Sequence, residues 1–127
     1  LITPEILQDI RDIVNFYDNF KCVECADRIE TYLKEKGIHR RRIKLDTVKQ
    51  VREDDFIYDD SNPSKAEDNI ISKNAHHEGI AIKINGEEKV FDNHHPDGLQ
   101  IEQWINNLVF FSKIYVGVSF RESGYLF

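Results

Sequence analysis

The sequence predicts an α+β domain in which two N-terminal helices pack on a small antiparallel sheet. Three observations carry that expectation. Apolar residues recur twice at helical spacing between residues 4 and 36. The middle of the chain then alternates with period two, and Asn85-Gly86 sits between two strand-like runs as a hairpin signal. One short amphipathic stretch and a final strand-like run close the order helix, helix, strands, helix, strand.

Each element has a local cause. Thr3-Pro4-Glu5 reads as N-cap, first helical position and acidic first turn. Ile6, Leu7, Ile10, Ile13 and Val14 follow at helical spacing, and the helix should end near Phe16–Tyr17, before Asp18-Asn19. A second helix is expected from Cys22 to Lys36, with Cys22, Cys25, Ala26, Ile29, Tyr32 and Leu33 on its apolar face and Gly37 as C-cap. Alternation from Arg42 to Val48 reads as a strand, and Phe56–Tyr58 as a short one. Residues 59–75 are polar and contain Ser-Asn-Pro-Ser, which reads as a long loop, either a mobile flap or a partly disordered insertion. Glu78–Ile84 and Glu88–Asp92 are the hairpin strands, and Pro96-Asp97-Gly98 is a turn. Ile101, Trp104, Ile105 and Leu108 mark a helix whose apolar stripe reads as core. Tyr115–Phe120 is expected to be the last strand.

A chain of 127 residues suits one domain, with residues 1–19 as an N-terminal helix and lead-in. It contains no methionine, which fits a segment of a longer chain. No apolar run approaches membrane-span length, and Leu1–Ile10 lacks a secretory signal pattern. A formal net charge of −6 argues against nucleic acid as the partner. The basic run His39-Arg40-Arg41-Arg42 reads as a solvated turn or an anion- or partner-binding patch. Two cysteines in a Cys-x-x-Cys spacing on one helix make no disulfide framework.

The chemistry lies in an order of residues: Cys22 at a helix start, His77 at a strand start, then Asp92 and Asn93 on the next strand. A thiol attacks as thiolate, and a helix N-terminus favours that anion. An imidazole can take the proton and return it to a leaving amine, and a carboxylate fixes the imidazole's orientation. A two-residue turn at Asn85-Gly86 would place Gly79 opposite Asp92, on the face that His77 shares. Asp92 then reaches His77 and Asn93 points away; a three-residue loop would exchange the two. Cys25, one turn further in, is the alternate thiol, disfavoured because it lies deeper in the helix. The backbone N–H of Cys22 and the side chain of Asn19 are candidates for an oxyanion hole. This order and setting is that of a papain-like cysteine protease fold.

FKCVECADRIETYLKEKGIHRRRIKL followed by HHEGIAIKINGEEKVFDNHHPDG resembles the papain-fold toxin 2 family, toxin domains of bacterial polymorphic toxin systems. The resemblance runs from about Phe20 to Leu108. It implies a papain-like core with a Cys22–His77–Asp92 arrangement and no cofactor. It further implies a toxin secreted or delivered into a target cell as the C-terminal domain of a larger protein, a protein substrate there, and a cognate immunity protein. Peptidase, deamidase and transglutaminase-like chemistry all fit the triad. The first helix and residues 59–75 are where the chain departs from the family pattern.

Two other readings exist. His76-His77 and His94-His95, with Cys22 and Cys25, could form a zinc-binding Cys/His domain, since the hairpin would set His77 opposite His94. The chain could instead be a catalytically inactive papain-fold binding module. A thioredoxin-like use of Cys22 and Cys25 lacks the preceding strand that such a motif requires.

Overall fold

A computed structural model describes residues 1–127. Helix α1 spans Pro4–Phe16, and the Thr3 hydroxyl accepts from the Ile6 N–H at 3.2 Å. Helix α2 spans Cys22–Glu35 and ends at Gly37, which adopts the left-handed φ of +70°. The strands are β1 (Arg41–Asp46), β2 (Ile57–Asp59), β3 (Ile70–Ser72), β4 (His76–Ile84), β5 (Glu87–Phe91), β6 (Leu99–Gln100), β7 (Leu108–Val109) and β8 (Arg121–Leu126). Helices α3 (Ile101–Asn107) and α4 (Phe111–Tyr115) flank β7.

Two antiparallel sheets result, a five-stranded one in the order β6-β5-β4-β1-β8 and a three-stranded one in the order β3-β2-β7. The large sheet is covered on both sides, so β4 is buried without a break from His77 to Ile82. Ile80, Ile82 and Phe91 face α1 and α2, packing with Ile10, Val14, Ile29 and Leu33. Ala81, Val90, Ile43 and Leu45 point the other way, against Ile57, Ile71, Trp104 and Leu108 of the small sheet and α3.

The hairpin register agrees with the expected one: Ile84 opposes Glu87 and Ala81 opposes Val90. Asn85 and Gly86 have φ of 52° and 80°, the left-handed pair that a two-residue turn of this twist requires. The last strand is a correction. Tyr115–Phe120 does not form it; Tyr115 ends α4, and the strand is Arg121–Leu126, paired with β1. All six of its residues are exposed, so it has no buried face to impress a hydrophobic period on the sequence.

The polar segment 59–75 also differs from a simple flap. It contains a 3-10 turn at Glu67–Asn69 and β3, which pairs with β2 and buries Ile71. Lys65 fastens it to the rest: its ammonium donates to the carbonyls of Val14 (2.7 Å), Tyr17 (2.6 Å) and Asn93 (2.7 Å). A cation at the C-terminal end of α1 also suits the helix dipole. The basic run goes from an exposed His39 through half-buried Arg40 and Arg41 to a buried Arg42. Arg42 is buried, donates to Asp27 at 2.6 Å and Glu78 at 2.7 Å, and so ties α2 to β1 and β4.

A second buried charge joins distant segments. The Asp54 carboxylate accepts from the N–H groups of Gln50 (2.8 Å), Val51 (3.1 Å) and Ser112 (2.8 Å), and from the Ser112 hydroxyl (2.7 Å). Burial alone would raise its pKa; the bonds outweigh that and lower it from 3.8 to about 2. A lowered carboxylate pKa gives stability that is present above 3.8 and lost as pH falls towards about 2. Asp54→Ala leaves four donors without acceptor and is expected to cost at least about 2 kcal/mol in urea unfolding at pH 7. An unchanged unfolding midpoint would contradict this role for Asp54.

Candidate functional site

Cys22 is the first residue of α2, and Lys21 before it supplies no side-chain cap. The N–H groups of the first turn therefore lack the usual acceptor. Phe20, just ahead, has a left-handed φ of 69°, an uncommon conformation for a bulky residue and one that turns the chain sharply into the helix. Cys22 is 7% exposed and lines a cleft of about 410 Å³ between the start of α2 and residues 71–76.

His77 enters from β4 and is fully buried. Its Nε2 pairs with Asp92 Oδ2 at 2.8 Å, and its Nδ1 has no hydrogen-bond partner. Burial would push the imidazole pKa down. The Asp92 bond, together with the nearby Cys22 side chain, outweighs burial and raises it to about 10.

Asp92 follows the last residue of β5 and carries four hydrogen bonds. Oδ2 accepts from His77 and from the Trp104 indole N–H at 2.8 Å. Oδ1 accepts from the His94 N–H at 2.8 Å and pairs with His95 Nδ1 at 2.7 Å. Burial would raise this carboxyl pKa; the charge of His95 and the bonds from His77 and His95 hold it well below the usual range. Gly79 makes room for this arrangement. A Cβ there would lie 2.5 Å from Val90 Cγ1 and 3.1 Å from Trp104 Cζ2.

Asn93 points away from His77 and donates to the Asp18 carbonyl at 2.9 Å. Asn19 uses one amide N–H on the Ile70 carbonyl at 2.8 Å, while its Oδ1 accepts from the Phe20 N–H at 3.1 Å and faces His94 Nε2 at 2.9 Å. It thereby pins the α1–α2 link to β3, and only its second N–H is left for a ligand. Cys25 is fully buried; desolvation, then the charge of Asp92, raises its pKa to about 12. His94 does not stand opposite His77, because the paired ladder stops at Ile80–Phe91. Burial lowers its pKa to about 4, so it is neutral at physiological pH. No group of three or more His, Cys, Asp or Glu side chains comes together in a geometry that would hold a metal ion.

Three participants escaped the sequence reading. Trp104 reads as core, which it is, but its N–H position depends on tertiary packing. His95 reads from the sequence as a zinc ligand, and only its spacing of three from Asp92 hints at the bond it makes. His76 lines the same cleft as Cys22 and pairs with Glu78 and, at 2.8 Å, with Asp46. The Glu78 bond, against burial, raises its pKa to about 9.

The site thus combines a thiol at an open helix end, a buried imidazole with one free nitrogen, and a carboxylate saturated with donors, all in an α+β domain. The chain belongs to the papain fold toxin 2 family, whose model matches residues 5–109. That family comprises toxin domains with a papain-like fold and points to cysteine-dependent chemistry on a substrate in a target. No curated protein and no solved structure matches the chain. No helix is long and apolar enough to cross a membrane.

Cys25 is fully buried with a raised pKa, whereas Cys22 lines the cleft, so the two thiols should separate chemically. Brief iodoacetamide treatment of the native protein at pH 7.5 is expected to alkylate Cys22 and spare Cys25, with both modified after unfolding. Peptide mass spectrometry reads the outcome, and preferential labelling of Cys25 would reverse the assignment.

Proposed function

We propose that this domain is a papain-like, cysteine-dependent acyl-transfer enzyme, a peptidase or glutamine deamidase, delivered into a target cell as a toxin. The observation that carries the proposal is the division of labour on His77. Its Nε2 is committed to Asp92, so Nδ1 is the nitrogen left for the Cys22 proton.

The thiol proton passes to His77 Nδ1, giving a thiolate and an imidazolium. The raised His77 pKa favours that pair over the neutral one. The thiolate sulfur attacks a carboxamide or peptide carbonyl carbon, and the π electrons of the carbonyl move to oxygen. The Cys22 backbone N–H is one donor to this oxyanion, and the second N–H of Asn19 is the other candidate. Collapse expels ammonia or an amine, which takes the proton from His77, and leaves a thioester. Water resolves the thioester in a peptidase or deamidase; a second amine would do so in a transglutaminase. Asp92 holds the ring and stabilises its charge throughout.

Delivery as the C-terminal domain of a larger bacterial protein, with a cognate immunity protein guarding the producer, fits this reading. The net charge of −6 favours an immunity surface that is basic or apolar.

Cys22→Ala is expected to abolish toxicity, while Cys25→Ala keeps it unless the core is disturbed. Asp92→Asn should fold and lower kcat/KM by roughly 10³–10⁴-fold. Mass spectrometry of target-cell proteins identifies the reaction: a gain of about one dalton at glutamine means deamidation, and new termini mean proteolysis. Full toxicity of Cys22→Ala would overturn the thiol mechanism.

A further inference from the structure

Three separate depressions border residues 68–74: the thiol cleft, a second one beside it, and an apolar pocket that the chemistry above does not use. Residues 68–73 form a shared wall. Cys22, Phe20, Ile71 and Lys73 line the thiol cleft, and the Lys73 ammonium lies 5.1 Å from the centre of the Phe20 ring. Phe20 and Lys73 also border the next depression, together with Asp68. Asp68 and Asn69 then border a pocket of about 500 Å³.

That pocket has an apolar floor and an acidic rim. Phe56, Phe111, Ile114 and Tyr115 line it, and Ile114 and Tyr115 are 56% and 72% exposed. Contiguous exposed apolar side chains of this kind mark interaction sites in soluble proteins. Glu53, Asp60 and Asp68 also line it, and no lysine or arginine does. A second copy of this chain is a poor occupant, since each copy carries a net charge of −6. A ligand with a large apolar side chain between basic residues matches both floor and rim.

We propose that this pocket is a docking site for the protein substrate. It takes an aromatic or large aliphatic side chain flanked by lysine or arginine. The proposal rests on Cys22 as the nucleophile, but its binding test does not require turnover.

The probes are fluorescein-labelled peptides of about ten residues with a central Lys-Phe-Lys, Glu-Phe-Glu or Lys-Ser-Lys. Each is titrated by anisotropy against the full chain carrying Cys22→Ala. The Lys-Phe-Lys peptide should bind at least about tenfold more tightly than the other two. Adding Ile114→Asp or Asp60→Lys should each remove that preference. In the otherwise wild-type chain, Ile114→Asp should lower toxicity while the alkylation rate of Cys22 stays unchanged. Equal affinity for the three peptides, or no binding up to about 1 mM, overturns the proposal. So does full toxicity of Ile114→Asp, because the pocket would then serve some partner other than the substrate. A failure of the thiol mechanism shows separately, as toxicity of Cys22→Ala.

Discussion

The site depends on one buried carboxylate. Asp92 is 1% exposed, and an ionised group there carries a desolvation cost that only close partners offset. Four donors surround it, from His77, Trp104, His95 and the His94 backbone. Because both oxygens are saturated, the carboxylate cannot rotate away from the imidazole. Orientation of His77 therefore follows from packing of Trp104, on α3, against the large sheet and from the turn that places His94 and His95 after β5. Gly79 belongs to the same construction, since its missing side chain leaves the space that Trp104 fills.

The thiol comes from the other half of the molecule. Cys22 sits at the end of a helix that lies on one face of the large sheet, whereas His77 points to the other face, at the end of β4. Alignment of the two needs α2 fixed along its length. Arg42 does this near the sheet's far side by joining Asp27 and Glu78. Lys65 and Asn19 do it near the cleft, by tying the end of α1 and the α1–α2 link to residues 65–70 and 93. These bonds explain why an insertion-like polar segment is an ordered wall of the site.

Local signals made much of this legible. Both long helices, the hairpin and its register follow from caps, periodicity and the Asn85-Gly86 turn. The register alone placed Asp92 rather than Asn93 beside His77, as observed. Helix polarity is the ground on which Cys22 rather than Cys25 is proposed as the nucleophile. What stayed hidden depended on distant contacts. β3 is three residues long and gains its identity from β2. β8 is exposed throughout and is held by backbone pairing to β1, so hydrophobic patterning pointed to the apolar residues just before it. The Trp104 and His95 bonds to Asp92 need the tertiary fold, and no spacing in the sequence encodes the indole's direction. Asn19 reads as an oxyanion-hole candidate, yet the neighbouring strand takes one of its donors.

The central claim is that Asp92 stabilises the His77 cation formed when the ring takes the Cys22 proton. An NMR titration of the 15N-labelled histidine rings tests it most directly. In the native protein His77 should stay protonated through neutral pH and lose its proton only near about 10. In Asp92→Asn the same ring should lose its proton at lower pH, because the hydrogen bond and the charge of Asp92 that raise its pKa are gone. A native His77 that is neutral at pH 7, or one indifferent to Asp92→Asn, would contradict the account.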